Sequence, residues 1–141
     1  MVILIIIAVA IFLWWSLVPS NKNTIKSSYS NSGNDDLKKL LFNDKYKYLI
    51  SNFLAFPDAE VIESKIDSIR ISSWTPRVRT TFFIIESFGY YTVYWEHKSQ
   101  TFGKHSLNWQ FPINHSQVAA LEKIGDEISD YENKLLNNRY K

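Results

Sequence analysis

The hydrophobic pattern opens with an uninterrupted apolar run at residues 1–19, MVILIIIAVAIFLWWSLVP, which contains no charged side chain. Within this run only Ser16 has a polar side chain. A helix over residues 2–18 spans roughly 26 Å, close to the ~30 Å thickness of a hydrocarbon core. Trp14 and Trp15 lie where aromatic rings favour the headgroup level, and Pro19 ends the helix. The run therefore predicts an uncleaved, single-pass transmembrane anchor.

A cleaved signal peptide is the alternative interpretation of the same run. Signal peptides normally have a positively charged start, a shorter apolar core and small residues at the cleavage site. No Lys or Arg precedes this run, and Val18 with Ser20 forms only a weak cleavage pattern. The chain has no Cys, which excludes a lipoprotein anchor. We therefore expect residues 2–18 to stay in place and contact membrane lipid.

The stretch at residues 20–34 is polar, rich in Ser and Asn, and predicts a flexible tether with a reach of ~20 Å. Lys22 and Lys26 follow the apolar run closely, whereas no basic side chain precedes it. By the positive-inside rule this gives a small bias towards a cytoplasmic domain on the inner membrane of a bacterial-type cell. A periplasmic domain is the alternative.

Helical periodicity marks both ends of the remaining domain, residues 35–141. Leucine and aromatic residues recur at spacings of three and four across residues 35–56, with a candidate break at Asn43–Asp44 and Asp44 as a cap. Near the C-terminus, Asn114 and Gln117 form a variant of the capping box. A long helix is then predicted to about residue 137, with the apolar stripe Val118, Leu121, Ile124, Ile128, Tyr131 and Leu135.

Residues 59–73 are ambiguous, because their isoleucines fit a helical face or a strand whose alternation changes phase. The frequent β-branched residues favour a strand, bulged near Asp67–Ser68. The Trp74-Thr75-Pro76 segment then turns the chain.

Strict alternation over residues 78–111 predicts three further strands. Phe88–Gly89 fits a two-residue turn that places Phe82 opposite Trp95, and Trp95 in turn is expected opposite Leu107. One shared face is expected to be buried: Phe82, Ile84, Tyr91, Val93, Trp95, Leu107, Trp109 and Phe111. The predicted fold class is α+β: a transmembrane helix, then a small domain of order α-β-β-β-β-α with a four-stranded antiparallel meander.

Composition and motifs narrow the function. The net charge is +2 with no long charged block, so the chain lacks the signature of a nucleic-acid binder. No phosphate-binding loop, nucleophile elbow or H-E-x-x-H motif occurs, so we expect no catalysis, no cofactor and no small-molecule substrate. The only catalytic alternative, a metal-dependent enzyme or hydrolase, would depend on His97, His105 and His115, of which the first two flank one hairpin loop.

The second face of the predicted sheet offers candidate partner-binding residues. Phe83, Tyr90 and Tyr94 are expected there, and large rings of this kind are typical of binding surfaces. A neighbouring candidate patch is the cluster of Arg70, Arg77 and Arg79 around the Trp74-Thr75-Pro76 turn, with Trp74 beside the arginines. Two alternatives remain: the segment 35–56 packs across this face and buries it, or the arginines are a solvated cluster balanced by nearby acidic residues.

These observations predict a membrane-anchored accessory or adaptor domain that binds another protein. The alternatives are an immunity or inhibitor protein that neutralises a toxin or enzyme at the membrane, and a structural subunit of an envelope complex. A membrane-linked hydrolase is a further alternative, since many active sites leave no local motif.

Overall fold

The structure, a computed structural model, describes residues 33–139 and confirms the α+β class. Its elements in chain order are α1 (Gly33–Lys45), α2 (Lys47–Phe53), β1 (Ala59–Ser64), β2 (Ser68–Trp74), β3 (Val78–Ser87), β4 (Tyr90–Ser99), β5 (Gly103–Pro112) and α3 (Gln117–Arg139). The predicted anchor at residues 1–19 and the predicted tether up to residue 32 lie outside the described residues. Among the helices that are described, none combines the length and the apolar character needed to cross a bilayer.

The five strands form one antiparallel sheet in the order β1-β2-β3-β4-β5, so every strand pairs with its neighbour in the chain. The predicted register is confirmed: Phe82 lies opposite Trp95, and Trp95 lies opposite Leu107. Phe88 (φ 51°) and Gly89 (φ 80°) both have positive φ. This combination defines the type I′ turn that matches the twist of a two-residue hairpin.

The prediction of four strands was wrong, because residues 59–73 form a hairpin and not one bulged strand. The Lys65 amide donates to the Ser68 carbonyl over 2.8 Å, which closes a turn at residues 65–67. A bulge also occurs, but within β1, between Val61 and Glu63. The change of phase in the sequence therefore reflects a turn combined with a bulge.

All three helices contribute their buried side chains to one core on a single face of the sheet. The Phe53 ring of α2 stacks on Phe82 with centroids 4.0 Å apart and the planes nearly parallel. From α3, Leu121 and Ile124 are buried in the same core. The predicted strand face lies here, and all of its members are buried except Leu107, which is half-buried.

The predicted break in the N-terminal helical segment exists, but it falls at Tyr46 and not at Asn43–Asp44. The Tyr46 hydroxyl donates to Glu86 Oε2 over 2.6 Å, and Lys45 Nζ donates to the same oxygen over 2.8 Å. Partial burial disfavours the charged form of Glu86, but these hydrogen bonds and the charge of Lys45 outweigh it and hold the pKa of Glu86 below its usual value. The contacts at the break between α1 and α2 therefore hold both helices against the end of β3.

The predicted capping box at Asn114 was wrong. The helix α3 begins at Gln117, and the Ser116 hydroxyl caps it by accepting from the Ala119 amide over 3.3 Å. Gln117 instead bridges to the N-terminal helices: its side chain donates to the Lys45 carbonyl over 2.5 Å and accepts from a backbone amide of α2. The start of α3 is thus fixed against the junction of α1 and α2.

Candidate functional site

The sheet face opposite the helices is the candidate site, and we call it the open face. Strand alternation places on it Arg70, Ser72, Trp74, Arg79, Thr81, Phe83, Ile85, Tyr90, Thr92, Tyr94, Glu96, Asn108 and Gln110. The buried side chains of α1, α2 and α3 all belong to the core on the other side. The segment 35–56 therefore packs on the opposite face, and no helix of the described part covers the open face.

An aromatic pair with a stacked arginine occupies the centre of the open face. The Phe83 and Tyr94 rings lie 5.9 Å apart across β3 and β4. The Arg70 guanidinium lies over the Phe83 ring at 4.7 Å from its centroid, close enough for a cation–π interaction. Arg70 also lies 3.8 Å from the Glu63 carboxylate, so its charge is partly balanced within the fold.

A second stacked pair lies further along β2. The Arg79 guanidinium lies 5.7 Å from the centroid of the Trp74 ring, which is 67% exposed. Arg79 Nε donates to the Ser72 hydroxyl over 3.3 Å, and that hydroxyl lies 3.2 Å from the Thr81 hydroxyl. These contacts fix the plane of the guanidinium. Within the described residues Arg79 forms no ion pair, in contrast to Arg70.

The structure brings the six predicted partner-binding residues together only in part. Phe83 with Tyr94 and Trp74 with Arg79 form the two pairs just described. Positions 70 and 74 on β2 are about 13 Å apart along an extended strand, so the pairs are neighbours on one surface. Tyr90 lies on the same face at the start of β4, 45% exposed. Arg77 is exposed, but it lies in the turn before β3 and not on a strand.

The sequence grouped Arg70 with Arg77 and Arg79, but it left the contact of Arg70 with Phe83 undetermined. The place of Arg70 beside Phe83 depends on the register of β2. That register follows from the turn at residues 65–67, which carries no Gly, Pro or Asn. The alternation of Arg70 with Ile69 and Ile71 was the available signal, since it places Arg70 on the face that the isoleucines do not use.

The histidines lie on the helix side of the sheet or beyond it. His97 and His105 lie directly opposite each other on β4 and β5, as their positions at the hairpin end predicted. His105 is within hydrogen-bond distance of the Tyr131 hydroxyl of α3 at 2.7 Å, and His97 of the Thr80 hydroxyl at 3.1 Å. Burial, with a contribution from His105, lowers the pKa of His97.

His115 makes a different contact from these two histidines: its ring stacks on the Phe111 ring, with the centroids 5.0 Å apart. Over residues 33–139, no three His, Asp or Glu side chains are placed to hold a metal ion together. The partner of His97 lies on β3, whereas His105 contacts Tyr131 of α3 and the backbone carbonyl of Phe102.

No family model, curated protein or solved structure matches this chain. The geometry of the open face is therefore the basis for the functional proposal.

Proposed function

We propose that this chain is a single-pass, membrane-anchored protein-binding domain without catalysis, and that the open face binds its partner. The observation that carries the proposal is a rigid sheet face with two arginine–aromatic stacks that no described helix covers. The apolar run at residues 1–19 supports the anchor.

The residue types on the open face support binding rather than solvation. Trp, Tyr and Arg are the side chains that most often dominate the energy of protein interfaces. Tyr94 is 43% exposed and Trp74 is 67% exposed, although both have apolar rings. Because β3 and β4 are central strands of the sheet, a partner would meet these rings in a fixed arrangement and little conformational entropy would be lost.

The chemistry of Arg79 indicates an acidic partner surface. Its stacking on Trp74 and its hydrogen bond to Ser72 orient the guanidinium, and no carboxylate in the described residues neutralises it. An oriented guanidinium binds a carboxylate with two parallel hydrogen bonds. We therefore propose that a partner Asp or Glu pairs with Arg79 while apolar groups cover Trp74 and Tyr94.

Site-specific photocrosslinking in cells tests this proposal. A photoreactive phenylalanine derivative replaces Tyr94 in one strain and Glu122, an exposed residue of α3, in another. We expect a discrete adduct from position 94 and none from position 122. The charge reversal Arg79→Glu should abolish the adduct, whereas the matched reversal Lys123→Glu on α3 should leave it unchanged.

Adducts of equal yield at both positions, or an adduct that survives Arg79→Glu, would contradict binding at the open face. So would the absence of any adduct at position 94. Near-UV circular dichroism of each purified variant checks that the fold is retained.

The anchor and its orientation need a separate measurement. We propose a cytoplasmic domain from the bias of Lys22 and Lys26. Reporter fusions after Lys141, one active only outside the cytoplasm and one only inside, measure the side directly. An active external reporter would overturn the orientation but leave the open face as the binding surface, whereas release of the chain from membranes by alkaline carbonate would overturn the anchor itself.

A further inference from the structure

Helix α1 has an exposed leucine stripe that the core does not use. Leu37, Leu40 and Leu41 recur at spacings of three and four, and they are 54%, 60% and 61% exposed. The only buried residue of α1 is Phe42. A helix with one buried side chain gains little from its own domain, so the leucines indicate a second surface for this helix to contact.

The tip of the β3–β4 hairpin is a second exposed apolar feature. Phe88 is 99% exposed and has a φ of 51°, a backbone region that favours Gly, Asn or Asp. The hairpin turn requires this conformation, but a Phe adopts it at a cost, and the exposed ring makes no use of its apolar surface in the fold. Ile113 lies beside the turn, since its amide donates to the Gly89 carbonyl over 3.0 Å, and it is 38% exposed.

The C-terminal end of α1, which follows the leucine stripe, lies at the same end of the sheet as the β3–β4 turn. Lys45, the last residue of α1, is 2.8 Å from Glu86, which lies only two residues before Phe88. The turn between β1 and β2 is at this end as well, because the Glu86 amide donates to the Asp67 carbonyl over 2.9 Å. Ile66 in that turn is 42% exposed. The end of the sheet is therefore ringed by apolar side chains.

We propose that this end of the domain, with the leucine stripe of α1 and the Phe88 tip, docks on the surface of the lipid bilayer. The inference rests on the proposed membrane anchor. Only residues 20–32 separate the predicted span from α1, and a coil of that length reaches about 20 Å. The bilayer surface is thus present at high effective concentration, so that a few apolar side chains suffice for binding.

The charges on α1 are compatible with a headgroup layer. Lys38 and Lys39 flank the leucines, and Lys39 lies 3.9 Å from Asp36. At the other end of the helix Lys45 balances Glu86. Since charges of both signs are present, the apolar side chains are the main source of the binding energy, and docking should depend only moderately on anionic lipid.

The absence of Cys from the sequence makes a labelling test direct. The full chain is reconstituted into phosphatidylcholine vesicles with one introduced cysteine, Leu41→Cys, Phe88→Cys or Gln100→Cys, each carrying an environment-sensitive fluorophore. Gln100 is the matched control, because it is exposed in the turn at the opposite end of β4. Lipids with a nitroxide quencher near the headgroup report contact with the bilayer.

We expect blue-shifted emission and at least about twofold stronger lipid quenching at positions 41 and 88 than at position 100. Equal quenching at all three positions would overturn docking. A blue shift without lipid quenching would also overturn it, because a second copy of the chain would then cover the tip. In a further chain, Leu40→Ser and Phe88→Ser are combined with an unlabelled Leu41→Cys, and an unchanged near-UV spectrum checks that the fold is retained. In this chain the thiol at position 41 should be more accessible to a water-soluble maleimide than in the chain with Leu41→Cys alone.

Vesicle flotation separates this proposal from the one it rests on. A chain that floats with the vesicles but shows no quenching at position 88 retains its anchor and refutes docking alone. A chain that remains at the bottom of the gradient refutes the anchor and docking together.

Discussion

Two neighbouring buried tyrosines should respond in opposite directions to the same substitution. The Tyr46 and Tyr91 rings lie 5.2 Å apart in the core, and both are fully buried. The Tyr46 hydroxyl donates to the Glu86 carboxylate over 2.6 Å. The Tyr91 hydroxyl is buried without a partner in the described residues, and burial raises its pKa to about 12.

For Tyr46→Phe we expect a loss of about 2 kcal/mol in the free energy of unfolding, the value of a hydrogen bond to a charged group. For Tyr91→Phe we expect a gain of about 1 kcal/mol, because the substitution removes a buried polar atom that lacks a partner. Each variant keeps its ring, so the change in packing is small and each serves as the control for the other.

Equilibrium unfolding of the full chain in urea, followed by tryptophan fluorescence, measures both changes. With a slope of about 1.5 kcal/mol per M, the midpoint should fall by about 1.3 M for Tyr46→Phe and rise by about 0.7 M for Tyr91→Phe. Equal losses in the two variants would refute the reasoning, since the Tyr91 hydroxyl would then have a stabilising partner.

Three further predictions concern the Phe88 turn, Glu86 and the start of α3. Phe88→Asn, which suits positive φ, should raise the unfolding free energy by about 0.5 kcal/mol in urea; a loss would contradict the turn assignment. Burial opposes the charge of Glu86, but its hydrogen bonds keep its pKa below 4.5, so its contribution is present above pH 4.5 and is lost as the pH falls. For Glu86→Gln we therefore expect the free energy of unfolding to fall less as the pH is lowered, and an unchanged pH dependence would argue against this role. Ser116→Ala should cost about 1 kcal/mol in thermal unfolding and Asn114→Ala almost nothing; the reverse order would restore the predicted capping box.

The meander from β3 to β5 was predictable because each local signal agreed with the next. Apolar and polar residues alternate without interruption, and Phe88–Gly89 fixes the parity of β3 against β4. A shift by one residue would have exposed Val93 and Trp109, so only one register buries the apolar face. The composition of the open face followed from the same parity.

The β1–β2 hairpin could not be predicted in the same way. Its turn carries Ile66, an apolar residue typical of strand interiors, and the bulge between Val61 and Glu63 interrupts the alternation. The alternation with Ile69 and Ile71 indicates the face on which Arg70 lies, but without these two facts its contact with Phe83 is not determined by sequence alone.

The buried side of the N-terminal helical segment could not be predicted, because the segment carries two apolar stripes. Leucines at positions 37, 40 and 41 fit helical spacing and helped to predict the helix, but they are exposed. The buried stripe is instead Phe42, Tyr46, Leu49 and Phe53, also at spacings of three and four. Periodicity identifies a helix with two apolar sides, but only the positions of the strands decide which side faces the core.

The order of the strands has a consequence for synthesis. Since each strand pairs with the one before it, the sheet can assemble as the chain leaves the ribosome, one hairpin after another. Trp109 and Phe111, however, are covered by α3, which is translated after the whole sheet. Until α3 is complete the nascent sheet presents an aromatic surface to the cell. Chains that end prematurely before Gln117 should therefore be preferred clients of chaperones and proteases.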